Sequence, residues 1–510
     1  MKINKTLLVI VFTILGLTSC EDWIDVNVDP NNPISANTDR VLPAAILSGL
    51  YEIHGPYAII GGIWSQYWTQ SNAANQYKNI EVYSLAATSY NYAYNEMFAG
   101  ALNDIYYMKK QSKADEDWNM YLIANTLQAY FYQVMVDLYD QVPYTEAFKG
   151  EEGLLEPAWD SGAAIYDSLL ANIDDALGRE FSSSENRFND RVAVTNNDPG
   201  AQDIIFWPAV NDHTDQDDVG YLDERMDHWV SFAYWVKMKL YLRMRFVDNA
   251  KASAGIMDIL DNHDAEIYIE NIGVDKFEDN QNLGNPLWQE NDKELNVSTN
   301  LRASTTMMSW LQDNGDARLS RFYDQGDGGA WVSLDQGAFT TPSTDLNPKT
   351  VAVYKIDPDY PALFFSEAEQ YFILSEVMAA YYTAGDAEAM FDAGVAAAFD
   401  DWGLPAGSYT FPISGTAEEQ LEAIIVQKWA ALYGSHSLEA WLESNRTGYP
   451  RESAVAASNA SYVPGQRTYS VNGATGGLFP KRLVFPDSEK SRNSNTPEFV
   501  PLTTKVWWGK

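Results

Sequence analysis

The sequence predicts a mainly helical protein in which helices form a rigid scaffold, long irregular loops connect them, and β-structure is scarce. Two observations indicate this fold. Long segments carry apolar residues at helical spacing and lack helix-breaking residues. Between them lie polar segments rich in Asn, Asp and Gly, at roughly 183–225, 263–300 and 324–360. Because hydrophobic residues make up 46% of the chain, a sizeable core is expected.

Three helices are predicted in the first half of the chain, at Trp118–Asp140, Trp159–Leu177 and Met226–Val247. The first contains neither glycine nor proline and is rich in Leu, Ala, Tyr and Val. An uninterrupted apolar segment of this length is typical of a buried or half-buried helix.

A helical hairpin is predicted in the second half. Ser366 and Glu369 form a capping-box pattern before an apolar run that reaches Tyr382. Gly385 interrupts the pattern, and a second helix runs to about Trp402. This pair has the size of one tetratricopeptide-like hairpin, although no 34-residue repeat recurs elsewhere in the sequence.

A further helix is predicted after Thr416 and Glu419, which form a second capping-box pattern. Apolar residues then recur on one face of that helix, and we expect this stripe to pack in the core. Its members are Leu421, Ile424, Ile425, Trp429 and Leu432.

The N-terminus has the pattern of an export signal. Lys2 and Lys5 precede an uncharged, mostly apolar run from Thr6 to Leu17, which is too short to span a bilayer as a helix. Small residues then lead to Cys20. The segment resembles the lipobox of bacterial lipoprotein precursors, in which the cysteine is lipidated and becomes the mature N-terminus. An ordinary signal peptide is the alternative.

The lipobox resemblance divides the chain into three parts. Residues 1–19 are expected to be a lipoprotein signal peptide, residues 20–36 a lipidated cysteine with an acidic tether, and residues 37–510 a single helical domain. Cys20 is the only cysteine, so lipidation leaves no thiol for a disulfide or a thiolate metal site. Glu21 and Asp22 resemble the surface-export signal of Bacteroidetes lipoproteins, or form a plain acidic linker.

The charge balance argues against nucleic acid as a partner. The net charge is −37, and it becomes −39 when Lys2 and Lys5 leave with the signal peptide. A field of this sign repels phosphate backbones and anionic membrane surfaces. The acidic residues are spread along the chain, which is typical of a solvated surface rather than a cation store.

The sequence carries no recognised catalytic or metal-binding motif, and we expect neither enzymatic activity nor a cofactor. None of the five histidines lies in an HExxH or other known zinc spacing, and there is no GxSxG nucleophile elbow. A glycosidase pair among the 71 carboxylates is not excluded by sequence. The Asp212, Asp215 and Asp217 spacing fails the calcium-loop pattern because Val219 and Met226 occupy ligand positions.

The candidate ligand-binding residues are aromatic side chains in or beside polar segments. Flat aromatic faces hold the apolar C–H faces of sugars, and neighbouring amides read hydroxyl groups. For Trp64 and Trp68, spaced four apart, packing in the core is the alternative interpretation. The candidates are Trp64, Trp68, Tyr77, Trp207, Trp288 and Trp331.

A series of segments, in order and with consistent spacing, resembles one family. Each is weak alone, and together they cover essentially the whole mature chain. They are Asp25–Pro33 (DVNVDPNNP), Val41–Ile46 (VLPAAI), Asp137–Ala147 (DLYDQVPYTEA), Ile165–Leu170, Trp229–Arg243, Asp316–Leu319 (DARL), Gln427–Trp429, Leu438–Trp441, Arg446–Pro450 (RTGYP), Phe479–Arg482, Phe485–Glu489 and Trp507–Trp508.

These segments resemble SusD/RagB-like nutrient-binding lipoproteins, specifically the second SusD-like subfamily. Two departures are Asp140, where the family usually has Gly, and the pair Tyr234 and Trp235, where Asn-Ser is common. The resemblance implies a tetratricopeptide-like scaffold with a loop-built binding face. It also implies that Asp137, Arg318 and other motif residues are structural rather than ligand-binding.

The resemblance further implies a non-enzymatic lipoprotein of the outer membrane that faces the cell exterior. Such a protein captures oligosaccharide, or peptide, and delivers it to a SusC-like TonB-dependent barrel. A surface glycoside hydrolase or a structural lipoprotein on the same scaffold is the alternative. Co-purification with a large β-barrel favours the first function, and turnover of a glycan by the purified chain favours the second.

Overall fold

The computed structural model describes residues 36–206, 219–295, 300–339, 346–434 and 436–510. It confirms a mainly helical architecture with long irregular loops and little strand. The helices are α1 (Thr38–His54), α2 (Pro56–Trp64), α3 (Lys78–Glu81), α4 (Asn91–Glu96), α5 (Asn103–Asp115), α6 (Trp118–Tyr139), α7 (Gly162–Leu177), α8 (Ser184–Phe188), α9 (Val219–Met244), α10 (Asn249–Asn262), α11 (Pro286–Trp288), α12 (Thr305–Asp313), α13 (Leu319–Phe322), α14 (Glu367–Tyr381), α15 (Ala384–Asp400), α16 (Ala417–Ala431), α17 (Ser437–Thr447) and α18 (Asp487–Arg492).

Within the described residues, four pairs of consecutive helices build the scaffold: α6 with α7, α9 with α10, α14 with α15, and α16 with α17. Each pair contacts the next, because α9 packs on both α6 and α7, and α14 packs on both α10 and α16. The sequence predicted one such hairpin. The other pairs share no detectable repeat with it, and the tetratricopeptide-like scaffold is nevertheless formed.

The predicted helix boundaries hold within three residues, except that α9 begins seven residues early. Helix α6 matches its prediction, and Asp117 caps it by accepting a hydrogen bond from the Met120 N–H. Helix α7 begins later than predicted, at Gly162, because Trp159–Ser161 forms a short strand instead. Helix α9 begins earlier than predicted and ends at Met244.

The two predicted capping boxes differ. Thr416 and Glu419 form both reciprocal hydrogen bonds at the start of α16. At the start of α14, Ser366 accepts a hydrogen bond from the Glu369 N–H, but the return bond is missing. The Glu369 carboxylate instead lies 2.8 Å from Lys239 Nζ in the interior. A buried ion pair therefore replaces half of the predicted cap.

Short strands join the loops. The strands are β1 (Trp68–Gln70), β2 (Gln141–Pro143), β3 (Trp159–Ser161), β4 (Ile272–Val274), β5 (Leu301–Ala303), β6 (Tyr323–Asp324), β7 (Val353–Tyr354) and β8 (Ala362–Phe365). One sheet has the strand order β1-β5-β7-β6, with antiparallel neighbours and with Trp68 opposite Ala303. Strand β2 pairs with β3, and β4 pairs with β8.

One continuous cluster of buried side chains extends from Leu42 to Trp508. Helix α2 crosses α17 at close range within it. An added Cβ at Gly61 would lie 2.4 Å from the Leu438 Cα, so only glycine permits this approach. The apolar stripe predicted on α16 is buried along its length, which confirms its assignment to the core.

A network of buried ion pairs connects the helix pairs. The Arg243 guanidinium lies 3.0 Å from Asp137 and 2.6 Å from Glu443. Arg446 in turn bridges Glu443, at 2.7 Å, and Glu376, at 2.5 Å. Asp137 also accepts hydrogen bonds from the Tyr166 hydroxyl and the Trp508 indole. These family-motif residues therefore hold helices together.

Candidate functional site

A cleft of about 370 Å³ lies between helix α1 and the loop that follows strand β4. We call it the interloop cleft, because it draws on two of the three polar segments in which binding residues were expected. Residues 201–204 and 274–289 supply most of its wall, and α1 supplies the rest. Its lining residues are Leu47, Leu50, Tyr51, Ala201, Asp203, Ile204, Val274, Lys276, Phe277, Asn282, Leu283, Gly284, Pro286 and Gln289.

Asn285 anchors the loop that forms this wall. Its side-chain oxygen accepts hydrogen bonds from the N–H groups of Leu287 and Trp288, which caps α11. Its amide nitrogen donates to the Tyr360 carbonyl at 2.8 Å, and its backbone N–H donates to the Pro358 carbonyl. The third polar segment thus contributes by holding the loop in place.

Gly284 and Trp288 define the depth of the cleft. An added Cβ at Gly284 would lie 2.4 Å from the Trp288 ring, so the ring packs directly against the glycine backbone. Trp288 is itself only 8% exposed. Lys293 Nζ lies 4.6 Å from the centre of the ring. Trp288 therefore supports the wall of the cleft from behind.

The apolar part of the lining is open to solvent. Leu47 is 44% exposed and Leu283 is 50% exposed. Phe277 is half-buried beside them. Apolar clefts that carry a few oriented polar groups are the usual form of small-molecule binding sites. This surface can cover an apolar ligand face and remove it from water.

Gln289 provides a hydrogen-bond donor without a partner in the described residues. Its side-chain oxygen accepts from the Asn282 N–H at 3.1 Å, while its buried Nε2 donates to no described group. A buried donor without a partner costs about 1–3 kcal/mol. A ligand acceptor such as a hydroxyl oxygen, entering the cleft, would remove this cost.

Tyr51 lies at the rim of the cleft beside a group of carboxylates. Its hydroxyl lies 3.3 Å from Glu290 Oε2 and 3.3 Å from Glu294 Oε1. Burial, then these two carboxylates, raise the pKa of Tyr51 far above its usual value, so the hydroxyl remains a donor. Burial, followed by Glu290 and Glu96, raises the pKa of Glu52 to about 8.

Two of the predicted aromatic residues do not present a binding face. Trp64 and Trp68 lie in the core at 2% and 0% exposure, so neither ring has an exposed face on which a sugar could stack, contrary to their selection as candidates. The Trp64 indole donates to the Ile80 carbonyl at 3.1 Å. The Trp68 ring lies against Gly62, where an added Cβ would be 2.0 Å away. The alternative interpretation, core packing, describes both.

Tyr77 and Trp288 are brought into one region by the π-helix Gln289–Glu294. The Tyr77 hydroxyl donates to Asn291 Oδ1 at 3.0 Å, and Tyr77 is 7% exposed. Its hydroxyl is thus used within the protein. Both aromatics support the region around the interloop cleft without offering an open face to it.

The remaining predicted residues differ in position. Trp331 is half-buried and packs against the core on the loop between β6 and β7. Trp207, Cys20 and the aspartates at 212, 215 and 217 lie outside the described residues.

Sequence reasoning missed Phe277, Gln289 and Tyr51. Phe277 follows the rule that selected the other aromatics, since it lies in the polar segment 263–300, but the selection favoured tryptophan. Tyr51 lies within a helix, where no sequence signal separates a rim residue from a core residue. The role of Gln289 depends on the absence of a partner for one amide nitrogen, which only the fold determines.

The chain belongs to the SusD-like family. The profile of the second SusD-like subfamily, described as starch-binding proteins associating with the outer membrane, matches residues 30–470. Among curated protein sequences, none matches the chain.

Solved structures of SusD homologues share the fold. A homologue from Bacteroides uniformis covers 92% of this chain and 99% of its own length, at 18% identity and a TM-score of 0.69. A chitin-binding homologue from Flavobacterium johnsoniae covers 92% and 97%, at 18% identity and a TM-score of 0.71. A homologue from Bacteroides vulgatus covers 92% and 97%, at 17% identity and a TM-score of 0.66.

None of the described helices combines the length and apolar character required to cross a membrane. In the same part of the chain, no three His, Cys, Asp or Glu side chains are grouped so as to hold a metal ion.

Proposed function

We propose that this protein captures oligosaccharide in the interloop cleft and passes it, unchanged, to a SusC-like TonB-dependent barrel in the outer membrane. The observation that carries the proposal is the cleft itself: an apolar lining with one buried, unpartnered amide donor, in a member of a family described as starch-binding. Phe277 and Leu283 cover the apolar C–H face of a sugar ring. Gln289 donates to one of its hydroxyl oxygens, and the Tyr51 oxygen, whose proton is directed to Glu290 and Glu294, accepts from a sugar hydroxyl.

The cleft favours modest binding over tight binding. Its wall is open at Leu47 and Leu283, so a bound sugar keeps part of its surface in water. A capture protein must also release its ligand to the transporter. A lid tethered above the barrel keeps its site at a high local concentration, so modest affinity is sufficient for transfer.

A binding screen of the purified soluble chain, residues 21–510, which omits the cysteine at position 20, against neutral oligosaccharides and peptides tests the capture step. We expect a neutral oligosaccharide to bind, and Gln289→Leu to weaken it about tenfold, because one hydrogen bond of about 1.4 kcal/mol is lost. Gln325→Leu, which removes an exposed amide elsewhere, is the control and should bind normally. A folded chain that binds no saccharide, or that hydrolyses one, would contradict the proposal.

The tether is proposed to be a lipid on Cys20, which lies outside the described residues. Stable anchoring requires more than one acyl chain. We expect Cys20→Ala to abolish retention in the outer membrane while the melting temperature of the domain stays the same. Full partition of the variant with outer membranes in labelled cells would contradict a lipid tether.

The partner is proposed to be a barrel whose mouth the protein covers. A lid contact of this kind buries a large area and should survive mild detergent. Pull-down from the native membrane is expected to recover a large β-barrel in stoichiometric amount. Recovery of this protein alone, under conditions that preserve comparable complexes, would count against delivery to a barrel. The capture step would still be tested separately by the binding screen.

A further inference from the structure

A second cleft, of about 490 Å³, lies at the end of helix α17, where the C-terminal segment of the chain packs against residues 448–452. We call it the C-terminal cleft. It shares no lining residue with the interloop cleft. Its charged lining consists of four cations, Arg451, Lys481, Lys505 and Lys510, and two carboxylates, Glu418 and Glu452.

The charge of this cleft is opposite to that of the protein. The chain as a whole has 71 acidic and 34 basic residues, yet cations outnumber carboxylates two to one in this lining. A positively charged concavity in a strongly acidic protein attracts anions against the average field. The composition of the chain gives no sign of such a place.

Some of these cations are neutralised by nearby carboxylates. Arg451 forms a bidentate pair with Glu422, with both nitrogen–oxygen distances at 2.5 Å. Lys510 Nζ lies 3.5 Å from Glu418. These pairs neutralise Arg451 and Lys510 and leave Lys481 and Lys505 to other groups.

Few carboxylates lie near the remaining cations, Lys481 and Lys505. Arg467 and Lys481 share one carboxylate, Glu452, at 3.3 Å and 3.8 Å. Lys505 is exposed at the same cleft, and within the described residues no carboxylate lies within ion-pair distance of it. Burial, followed by Arg467, lowers the pKa of Lys481 to about 8, and Lys505 acts in the same direction. An anion placed between Lys481 and Lys505 would relieve this repulsion.

The shape of the cleft favours a small ring over a flat surface. Its volume falls within the range of small-molecule sites. Leu478, at 60% exposure, supplies an apolar lip, and Thr503 supplies a hydroxyl. The net charge of the chain opposes approach to an anionic membrane. These features suit a sugar ring that carries a carboxylate.

We propose that the C-terminal cleft binds the carboxylate of an acidic saccharide, a uronic acid residue, between Lys481 and Lys505. This site is additional to the capture of neutral sugar at the interloop cleft. It gives the protein separate surfaces for the neutral and the acidic parts of one glycan.

Calorimetric titration of the mature chain with tetragalacturonate, and with its neutral methyl ester, tests the proposal. We expect the acid to bind at least tenfold more tightly than the ester, and its affinity to fall as salt is raised from 50 to 200 mM, on the order of a few-fold. Lys505→Glu should lower the affinity for the acidic oligosaccharide at least tenfold. Lys349→Glu, a matched reversal at an exposed lysine outside both clefts, should change it less than twofold.

Two further variants identify which cleft binds the acidic oligosaccharide. Phe277→Ala, in the interloop cleft, should leave acid binding unchanged, so failure of one cleft is distinguishable from failure of the other. Lys481→Gln should lower the affinity for the acidic oligosaccharide without changing the binding of neutral saccharide. The proposal is overturned if the acid does not bind, if the ester binds equally, if both lysine reversals act alike, or if sodium sulfate binds as tightly as the oligosaccharide.

Discussion

The helix pairs and the interloop cleft differ in whether the buried polar side chains named here have partners within the chain. In the helix pairs, charged side chains at almost zero exposure face one another, as Arg446 faces Glu376 and Glu443. In the cleft, Gln289 keeps a buried donor without a described partner, and Leu283 is left half in water. The first region pairs these buried charges within the chain. The second keeps a donor that is available to a ligand.

The ion network explains how sequence-distant helices form one scaffold. Arg243 on α9 contacts Asp137 on α6 and Glu443 on α17. Burial alone would raise the pKa of Glu443, but Arg446 and Lys428 outweigh it and hold that pKa well below its usual range. Such a network is costly to desolvate, so its net contribution to stability is small, but the loss of one member leaves charges buried without a partner.

Breaking the network should give the largest effect. Arg446→Met leaves Glu376 and Glu443 partly unpaired, and we expect it to lower the free energy of unfolding by about 3–5 kcal/mol. Arg451→Met removes an exposed pair with Glu422 and should cost about 1 kcal/mol or less. Urea unfolding of both variants measures the difference. Equal losses would contradict a special role for the buried network.

Truncating a core tryptophan should lower the free energy of unfolding and leave saccharide affinity unchanged. Trp68→Ala leaves a cavity beside Gly62, and we expect a loss of about 3–5 kcal/mol in the free energy of unfolding. Saccharide affinity of the fraction that remains folded should be unchanged, because the ring has no exposed face. Thermal melting and titration on the same sample give both values. Selective loss of affinity in a stable Trp68→Ala protein would restore the sequence-based assignment.

The carboxylates at the rim of the cleft should produce a pH effect. With a folded-state pKa near 8 and an unfolded value of 4.5, Glu52 takes up a proton on folding at any pH between these two values. Its stabilising contribution is therefore full below pH 4.5 and falls as pH rises towards 8, by up to about 1.4 kcal/mol per pH unit. Glu52→Gln mimics the protonated form. Its melting temperature relative to wild type should rise between pH 5 and 8, and a constant difference would disprove the shift.

The scaffold was largely predictable from sequence, because helices depend on local patterns. The stripe from Leu421 to Leu432 and the capping box at Thr416 required only neighbours along the chain. The capping box at Ser366 and Glu369 was predicted from the same local pattern but formed only in part. The Glu369 carboxylate pairs with Lys239 on another helix. Because Lys239 is distant in sequence, no pattern near Ser366 predicts this pair.

The site was less predictable, because exposure is a property of the folded chain. Trp68 and Phe277 both lie beside polar residues in the sequence, yet Trp68 is buried on strand β1 and Phe277 lines a cleft. Segments 183–225 and 263–300 were predicted to carry binding residues, and residues of both line the interloop cleft. Which side chains line it depends on anchors such as Asn285, whose partners lie some seventy-five residues away.

Titration of a neutral oligosaccharide, identified by the binding screen, against Phe277→Ala tests the central claim most directly. Loss of the ring from the cleft should weaken binding about tenfold, or about 1.4 kcal/mol, with little change in melting temperature. Phe499→Ala removes a ring that is 68% exposed and does not line the cleft, and it should bind as wild type does. Unchanged affinity in Phe277→Ala, or an equal loss in both variants, would contradict capture at the interloop cleft.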